Sequence, residues 1–483
     1  MNANTLDVPG LGAPADTEWE TVVGLEVHAE LATETKLFSA SPNQFGGEPN
    51  THIDPVSLGL PGSLPVLNQK AVELAIRVGL ALNCRIQPSV FARKNYFYPD
   101  MPKDFQISQY DEPINVEGWL ELPSGKRIGV ERAHLEEDTG KTVHIGGGGR
   151  IHEAGYSLVD YNRAGVPLIE IVGRPELRSA EEARQYVAEL RAILVAVGAS
   201  DGKMEEGSLR VDCNVSVRPA GSDQLGTRCE IKNVNSLRSM GRAIEYEANR
   251  QIDLLTSGQP VEQQTRHWNE DDGRTHALRS KEEDYDYRYF PEPDLLPLDP
   301  STKWVEEIRQ GLPPLPRDRR LRLAEAAPSV DVDHIGLAVE RSMDELAMVA
   351  IGGGGSPERV MTHIVHNLAD GFGELAAEAL ADLVQMEEAG ELTATQAKKV
   401  LGALVDGGGS PREAAQALGF EAMNTGELEA LVDKLIADHP EEWTRFCEGD
   451  AKLTGFFVGQ VMKATQGRAD GKAVTQLLNA RRG

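Results

Sequence analysis

Cysteine is scarce in this chain. Cys84, Cys213, Cys229 and Cys447 are the only four among 483 residues, and no two form a CxxC pair. A reduced, cytoplasmic protein with buried or incidental thiols is therefore expected. Positive charge is in deficit too, with 49 Lys plus Arg against 76 Asp plus Glu and a net charge of −27. Such a surface does not coat a nucleic acid, although a local basic patch stays open. No apolar run approaches the length of a membrane span, so no membrane partner is expected. The opening MNANTLDVPGLGAPADTEWE has neither a basic start nor an apolar centre. It reads as a flexible extension over 1–18 and not as a secretory leader. No serine, cysteine or histidine arrangement marks a nucleophile for amide hydrolysis.

A phosphate loop is also missing where one is first suspected. HLEEDTGKT, His134 to Thr142, ends in Gly-Lys-Thr, but the glycine a Walker A loop needs five places before Gly140 is Leu135. The backbone cannot wrap a phosphate there in the usual way. The carboxylates Glu136, Glu137 and Asp138 are the better clue, because phosphates usually meet acidic side chains through a divalent cation. The glycine runs 146–149, 352–355 and 407–409 read as linkers and turns; two precede Ser-Pro at helix starts.

What is present is unevenly distributed. All ten tyrosines lie between Tyr96 and Tyr289, and the later half is rich in Ala, Leu, Glu and Arg at helical spacing. The proline-rich YFPEPDLLPLDP, Tyr289 to Pro300, sits at the change. An α+β fold follows, with an N-terminal mixed α/β domain holding an antiparallel sheet (19–295), an all-α domain (296–408) and a small helical tail (409–483).

Period-two alternation predicts a strand in VVGLEVHAEL. Val23, Leu25, Val27, Ala29 and Leu31 share one face, and Glu26, His28 and Glu30 the other. Leu209 to Val217 alternates as regularly, with Arg210, Asp212 and Asn214 on its polar face, and is expected to pair antiparallel with RCEIKNVNS. One helix is predicted from Ser179 to Val197, with Ser179 and Glu182 at capping-box spacing. Further helices are expected near 302–310, 317–326, 335–349, 357–370, 374–388, 411–418, 426–437 and 440–447. The end of the chain sets Lys452, Lys463, Arg468, Lys472, Arg481 and Arg482 against Asp470 alone, which fits either a phosphate-facing surface or a solvated helical face.

Glu-x-His-x-Glu on one strand face can aim several ligands at one point, or can be an exposed polar face. Carboxylates recur at Glu136, Glu137, Glu205 and Glu206, and Glu170 sits inside apolar PLIEIV. An acid among apolar neighbours is costly to bury unless it is paired or bound to a cation. Oxygen-rich ligation suits Mg²⁺, and the histidine leaves Mn²⁺ open. KNYFYPDMPKDFQISQYDEP, 94–113, sets aromatics beside lysines, either as a base sandwich or as a packed loop, and DYDYRYFPEPDL, 284–295, shares that ambiguity. The chemistry indicated is metal-assisted phosphoryl transfer.

These segments, together with SLVDYNRAGVPLIEIV, KMEEGSLRVDCNVSVRP, EIKNVNSLRSM and the C-terminal GFFVGQVMKATQGRA, resemble the B-subunit family of the glutamyl/aspartyl-tRNA amidotransferases, GatB of the GatCAB complexes. The motifs run in family order over most of residues 20–300. The resemblance implies a cradle-like catalytic domain, a helical domain and a tRNA-contacting tail. It also implies a glutamine-hydrolysing, ATP-dependent ligase of translation. Misacylated Glu-tRNA(Gln) or Asp-tRNA(Asn) would be phosphorylated on its side-chain carboxylate with ATP and Mg²⁺. Ammonia from GatA, the amidase (glutaminase) partner, would then displace phosphate, and the small GatC would make up the heterotrimer.

By the same resemblance Glu26, His28, Glu136, Glu137, Glu170 and Glu205 are metal-site candidates. Glu137, Glu170, Glu206 and Lys141 are catalytic candidates. Asn95, Tyr96, Tyr98, Lys141, Arg210, Asp212, Asn214, Lys232 and Asn233 would line the nucleotide or aminoacyl end. Residues 145–155 look longer than the usual family connection and read as a surface insertion. A free-ammonia carboxylate ligase and a tRNA-holding scaffold are the alternatives.

Overall fold

VVGLEVHAEL becomes the middle of a large sheet. The structure, a computed structural model, describes residues 17–146, 154–278, 287–420, 425–450, 452–465, 469 and 471–482. The strands are β1 (Trp19–Glu30), β2 (Arg85–Ile86), β3 (Ala92–Asn95), β4 (Phe105–Ser108), β5 (Asn115–Glu121), β6 (Arg127–Glu137) and β7 (Lys141–Ile145). There follow β8 (Tyr156–Asp160), β9 (Pro167–Gly173), β10 (Leu209–Pro219), β11 (Cys229–Val234), β12 (Thr265–Asn269), β13 (Arg274–Ala277) and β14 (Phe290–Pro291). Twelve form one sheet in the order β13-β12-β11-β10-β1-β9-β6-β4-β3-β14, with β5 pairing off β6 and β2 off β5; β7 and β8 pair separately. The expected antiparallel pairing of β10 with β11 is present, with Val215 opposite Cys229.

One face of this sheet is greasy for the reason the alternation gave. Val23, Leu25, Val27 and Ala29 are buried with Val211, Cys213, Val215 and Ile231. Helices α1 (Gln69–Ala81), α2 (Ala180–Ala196) and α3 (Leu237–Thr256) supply further buried side chains to the same core, among them Ile76, Tyr186 and Ile244. Removing that apolar surface from water is the main drive for assembling the layer. At the start of α2 the Ser179 side chain accepts from the Glu182 amide. The capping box does not close in return: the Glu182 carboxylate takes the Arg178 amide at 2.7 Å and Lys126 Nζ at 2.7 Å. Ser57, in the loop after β1, is tied to Asp54 at 2.7 Å, and Lys36, fully buried, donates to the His52 and Tyr161 carbonyls at 2.6 and 3.3 Å.

Helix α4 (Thr302–Gln310) belongs to the first compact unit, which ends at Leu315, and its Ile308 lies in the same core. The second unit, from Pro316, is helical: α5 (Pro316–Ala326), α6 (Val332–Glu340), α7 (Asp344–Gly352), α8 (Pro357–His366), α9 (Ala377–Glu388), α10 (Ala394–Gly407) and α11 (Pro411–Ala417). Then come α12 (Thr425–Asp438), α13 (Pro440–Cys447), α14 (Lys452–Ala464) and α15 (Gly471–Arg482), around Val432, Phe446, Phe457 and Val461. The fold is α+β.

Two expectations differ from the structure. The helix read over 335–349 is two helices, α6 and α7, because Ser342 between them takes a left-handed φ of 56°. Helices α1, α3 and α10 were not anticipated; Thr393 and Gln396 close a full capping box at the start of α10. The extension over 1–18 and the insertion at 145–155 fall largely on residues 1–16 and 147–153, outside the described residues. The runs 352–355 and 407–409 do lead into Pro357 and Pro411 at helix starts. Cys84, Cys213, Cys229 and Cys447 are free thiols, and only Cys447 is exposed.

Candidate metal and nucleotide site

The opposite face of the sheet carries the polar side chains. Residues facing each other across antiparallel strands are close neighbours, so register decides who meets whom. His28 of β1 stands opposite Glu170 of β9 on one side and Arg210 of β10 on the other. His134 of β6 stands opposite Glu170 as well. Two imidazoles therefore grip one carboxylate oxygen: His28 Nε2 lies 3.6 Å and His134 Nε2 3.3 Å from Glu170 Oε2. Glu136, two residues beyond His134, completes a trio with His28 and Glu170 whose ligand atoms all lie within 4.8 Å of one another. Among the described residues no other set of three such side chains converges this closely. An imidazole and two carboxylates are a donor set that suits Mg²⁺ or Mn²⁺.

The electrostatics follow from that crowding. Burial works to raise the Glu170 pKa, but the His134 and His28 imidazoles outweigh it and hold the carboxyl well below the usual range. Burial works to lower His28, yet its bond to Glu170 and the charges of Glu170, Glu136 and Asp212 carry it above the ordinary imidazole value. Glu26 sits nearby, accepting from Asn214 Nδ2 at 3.0 Å; burial and the Glu170 charge raise its pKa.

The expected residues divide clearly. Glu26, His28, Glu136, Glu170, Arg210, Asp212 and Asn214 share the polar face. Glu137 does not join the trio: it is buried facing Lys103, with which it pairs, and accepts the Ile107 amide at 2.8 Å. Glu205 and Glu206 are exposed, and Glu206 pairs with Lys203 at 2.9 Å. Lys141 is exposed on β7. Lys232 bridges Asp212 at 3.4 Å and Glu230 at 3.2 Å. Asn233, with φ 64°, donates to the Trp268 carbonyl at 3.2 Å. Asn95 donates to the Tyr287 and Arg288 carbonyls at 2.8 and 2.9 Å. The Tyr96 and Tyr98 rings stack at 5.1 Å.

Three contributors lie outside the candidate ligand and catalytic residues: the sequence does not single out His134, and it offers Lys94 and Asp138 only within their motifs. His134 is one. Lys94 is another, with Nζ 3.5 Å from Glu136 Oε2 and 5.0 Å from the Tyr287 ring centre. The third is Asp138, which receives Arg210 Nη2 at 2.9 Å and Arg163 Nε at 3.3 Å. A signal for two of them existed: His134-x-Glu136-x-Asp138 alternates just as Glu26-x-His28-x-Glu30 does. Beside Lys94, Tyr110 and Tyr289 stack at 4.0 Å.

The pattern that describes the GatB/GatE catalytic domain matches residues 21–306, which contain this whole polar face. A GatB domain pattern matches residues 366–481. The chain belongs to the GatB family. The B subunit of the aspartyl/glutamyl-tRNA(Asn/Gln) amidotransferase of Synechococcus elongatus is 48% identical over 486 residues, covering 97% of this chain and 98% of the relative. The Kineococcus radiotolerans protein of the same name is 48% identical over 497 residues, with 97% and 98% covered. That of Trichodesmium erythraeum is 44% identical over 485 residues, with 96% and 98% covered. GatB-family membership therefore spans both units. Among the described residues no helix is long and apolar enough to cross a membrane.

Proposed function

We propose that this chain is the GatB component of a cytoplasmic, heterotrimeric tRNA-dependent amidotransferase, a ligase that converts Glu-tRNA(Gln), Asp-tRNA(Asn) or both to the amidated form. The observation that supports this best is the convergence of His28, Glu136 and Glu170 inside the segment matched by the GatB/GatE catalytic pattern. An aminoacyl carboxylate is a poor electrophile at neutral pH. An oxygen of that carboxylate attacks the γ-phosphorus of ATP, ADP leaves, and an acyl phosphate forms. Ammonia from the amidase partner attacks its carbonyl carbon and expels phosphate, and a third, small protein completes the complex.

The residues present fit a divalent cation held by His28, Glu136 and Glu170. When bound, that cation would offset the charge that gathers on the transferred phosphoryl group. Glu26 stands beside the trio as a support or alternative ligand. Lys94, Arg210 and Lys232 border the acidic trio on the polar face, where cationic side chains meet phosphate oxygens. Asn95 holds Tyr287 and Arg288 in place, and the Tyr110–Tyr289 stack offers an aromatic wall to a base. Functionally we assign chemistry to residues 19–295, a helical connection to 296–408 and tRNA contact to 409–483. Arg481 of that last part already spends charge on Asp433 at 2.8 Å.

ADP formation by the chain assembled with its amidase and small partners tests this reading. It should require misacylated tRNA and Mg²⁺, and should vanish in Glu170→Gln. ADP release unchanged in that variant would move the chemistry out of this face.

A further inference from the structure

The cation trio leaves one imidazole unexplained. His134 is 4% exposed, deeper than His28, yet its ring is outside the ligand trio. Its Nε2 lies 3.3 Å from Glu170 Oε2, while its Nδ1 is buried with no hydrogen-bond partner among the described residues. A buried ring nitrogen without a partner is costly, and a phenylalanine would fill the same space without that cost. The imidazole's contact is made by its other nitrogen, Nε2, on Glu170. The neighbouring backbone supports the placement: the Leu135 amide donates to Gln109 Oε1 at 3.0 Å, fixing the strand on which His134 and Glu136 sit.

We infer that His134 is a positioning residue. It donates from Nε2 to Glu170 and fixes the carboxylate so that Glu170, His28 and Glu136 present their lone pairs to one cation. The geometry explains why two imidazoles share one oxygen. His28 Nε2, the longer contact at 3.6 Å, is the one that turns to the cation, and His134 stays as the donor. Outer partners of this kind orient metal ligands and typically change affinity by about 10–100-fold when removed. This inference rests on the cation site proposed above and adds a role that ligation alone does not predict.

The test is Mn²⁺ binding to the full chain, read by the loss of the free-ion signal in electron paramagnetic resonance, with a thermal melt of every variant. His134→Phe, which keeps volume without a donor, should weaken Mn²⁺ by about 10–100-fold. His134→Gln, which restores a donor, should return to within a few fold of wild type, and His28→Gln should abolish binding. Wild-type affinity in His134→Phe overturns the inference. So does a His134→Gln variant that loses binding as completely as His28→Gln, because His134 would then be a ligand itself. If His134→Phe does not fold, the His134→Gln and His28→Gln pair decides by the same criterion. Glu170→Gln belongs in the series: unchanged affinity there removes the cation site, which is a failure of the proposed function and is recognisable as such.

Discussion

A buried or half-buried histidine–glutamate cluster lies in each unit, and the two are built to opposite ends. In the helical unit Glu387 accepts from Arg359 Nε at 2.7 Å and meets His363 Nε2 at 3.1 Å. The other ring nitrogen of His363 is taken by Asn367 at 3.1 Å. Every polar atom there has an answer, and the guanidinium closes the charge. On the sheet face Glu170 has two imidazoles and a neighbouring carboxylate, Glu136, with one buried ring nitrogen left over. A closed ion pair adds rigidity; a trio of converging ligand atoms, even with Lys94 3.5 Å from Glu136, is a place for something else. The difference separates scaffold from site more sharply than burial does, since both clusters are buried or half-buried.

The comparison can be broken at its strongest point first. His28→Gln or Glu136→Gln should cut tRNA-dependent ADP formation about a hundredfold or more, because several kcal/mol of charge stabilisation go with the ligand. Glu387→Gln should leave that rate within about twofold; a matching loss in steady-state assays would erase the distinction. Next comes stability. Arg359→Met leaves the half-buried Glu387 carboxylate to His363 alone and should cost about 1.5–3 kcal/mol in urea unfolding, again at an unchanged rate below the melt.

A third buried charge, Lys36, sharpens the contrast through pH. Burial lowers its pKa from 10.5 to about 8, only partly opposed by Asp54, Glu137 and Asp160. Between those values the unfolded chain holds a proton that the folded chain has released. The contribution is thus complete above the unfolded pKa and is lost as pH falls through about 8. Wild type should therefore gain up to about 3 kcal/mol over Lys36→Met as pH rises from 8 to 10.5, measured by urea melts across that range. The smallest effect is ligand-linked. Mg²⁺ at a hundred times its Kd should stabilise wild type and Arg359→Met alike by about 2.7 kcal/mol and Glu170→Gln not at all. A shift retained in Glu170→Gln would place the ion elsewhere.

Most helices of the later half were legible, whereas of the strands only β1, β10 and β11 were, and for physical reasons. The β1 and β10 alternations survive because each has one greasy and one polar face, so the period of two is clean. Helix α3 hid because its buried face carries Glu247 and Gln251, with Glu247 answered by Arg250 and Arg266 and Gln251 by the Val215 carbonyl. Polar residues in a core stripe blur the helical period. Helix α1 buries one face and keeps Lys70, Glu73 and Arg77 on the other as an ion-paired stripe. At the site, composition pointed to Glu170 and His28. It could not show that consecutive Glu136 and Glu137 face opposite sides of β6, nor that Glu205 and Glu206 stand in solvent. Alternation along β6 decides the first, and the turn that carries Glu205 and Glu206 decides the second.

Strand register also times the site's appearance. Its three ligand positions, 28, 136 and 170, lie on strands that meet only when β9 slots between β1 and β6. A growing chain has no ion-gathering centre until β9 has left the ribosome, and a slip of one residue in β9 would turn Glu170 into the greasy layer. Ion capture at the proposed site would thus report that the central sheet has closed in the right phase. A nascent chain stalled before residue 170 should pass through a magnesium-rich cell without forming the trio proposed to hold the ion.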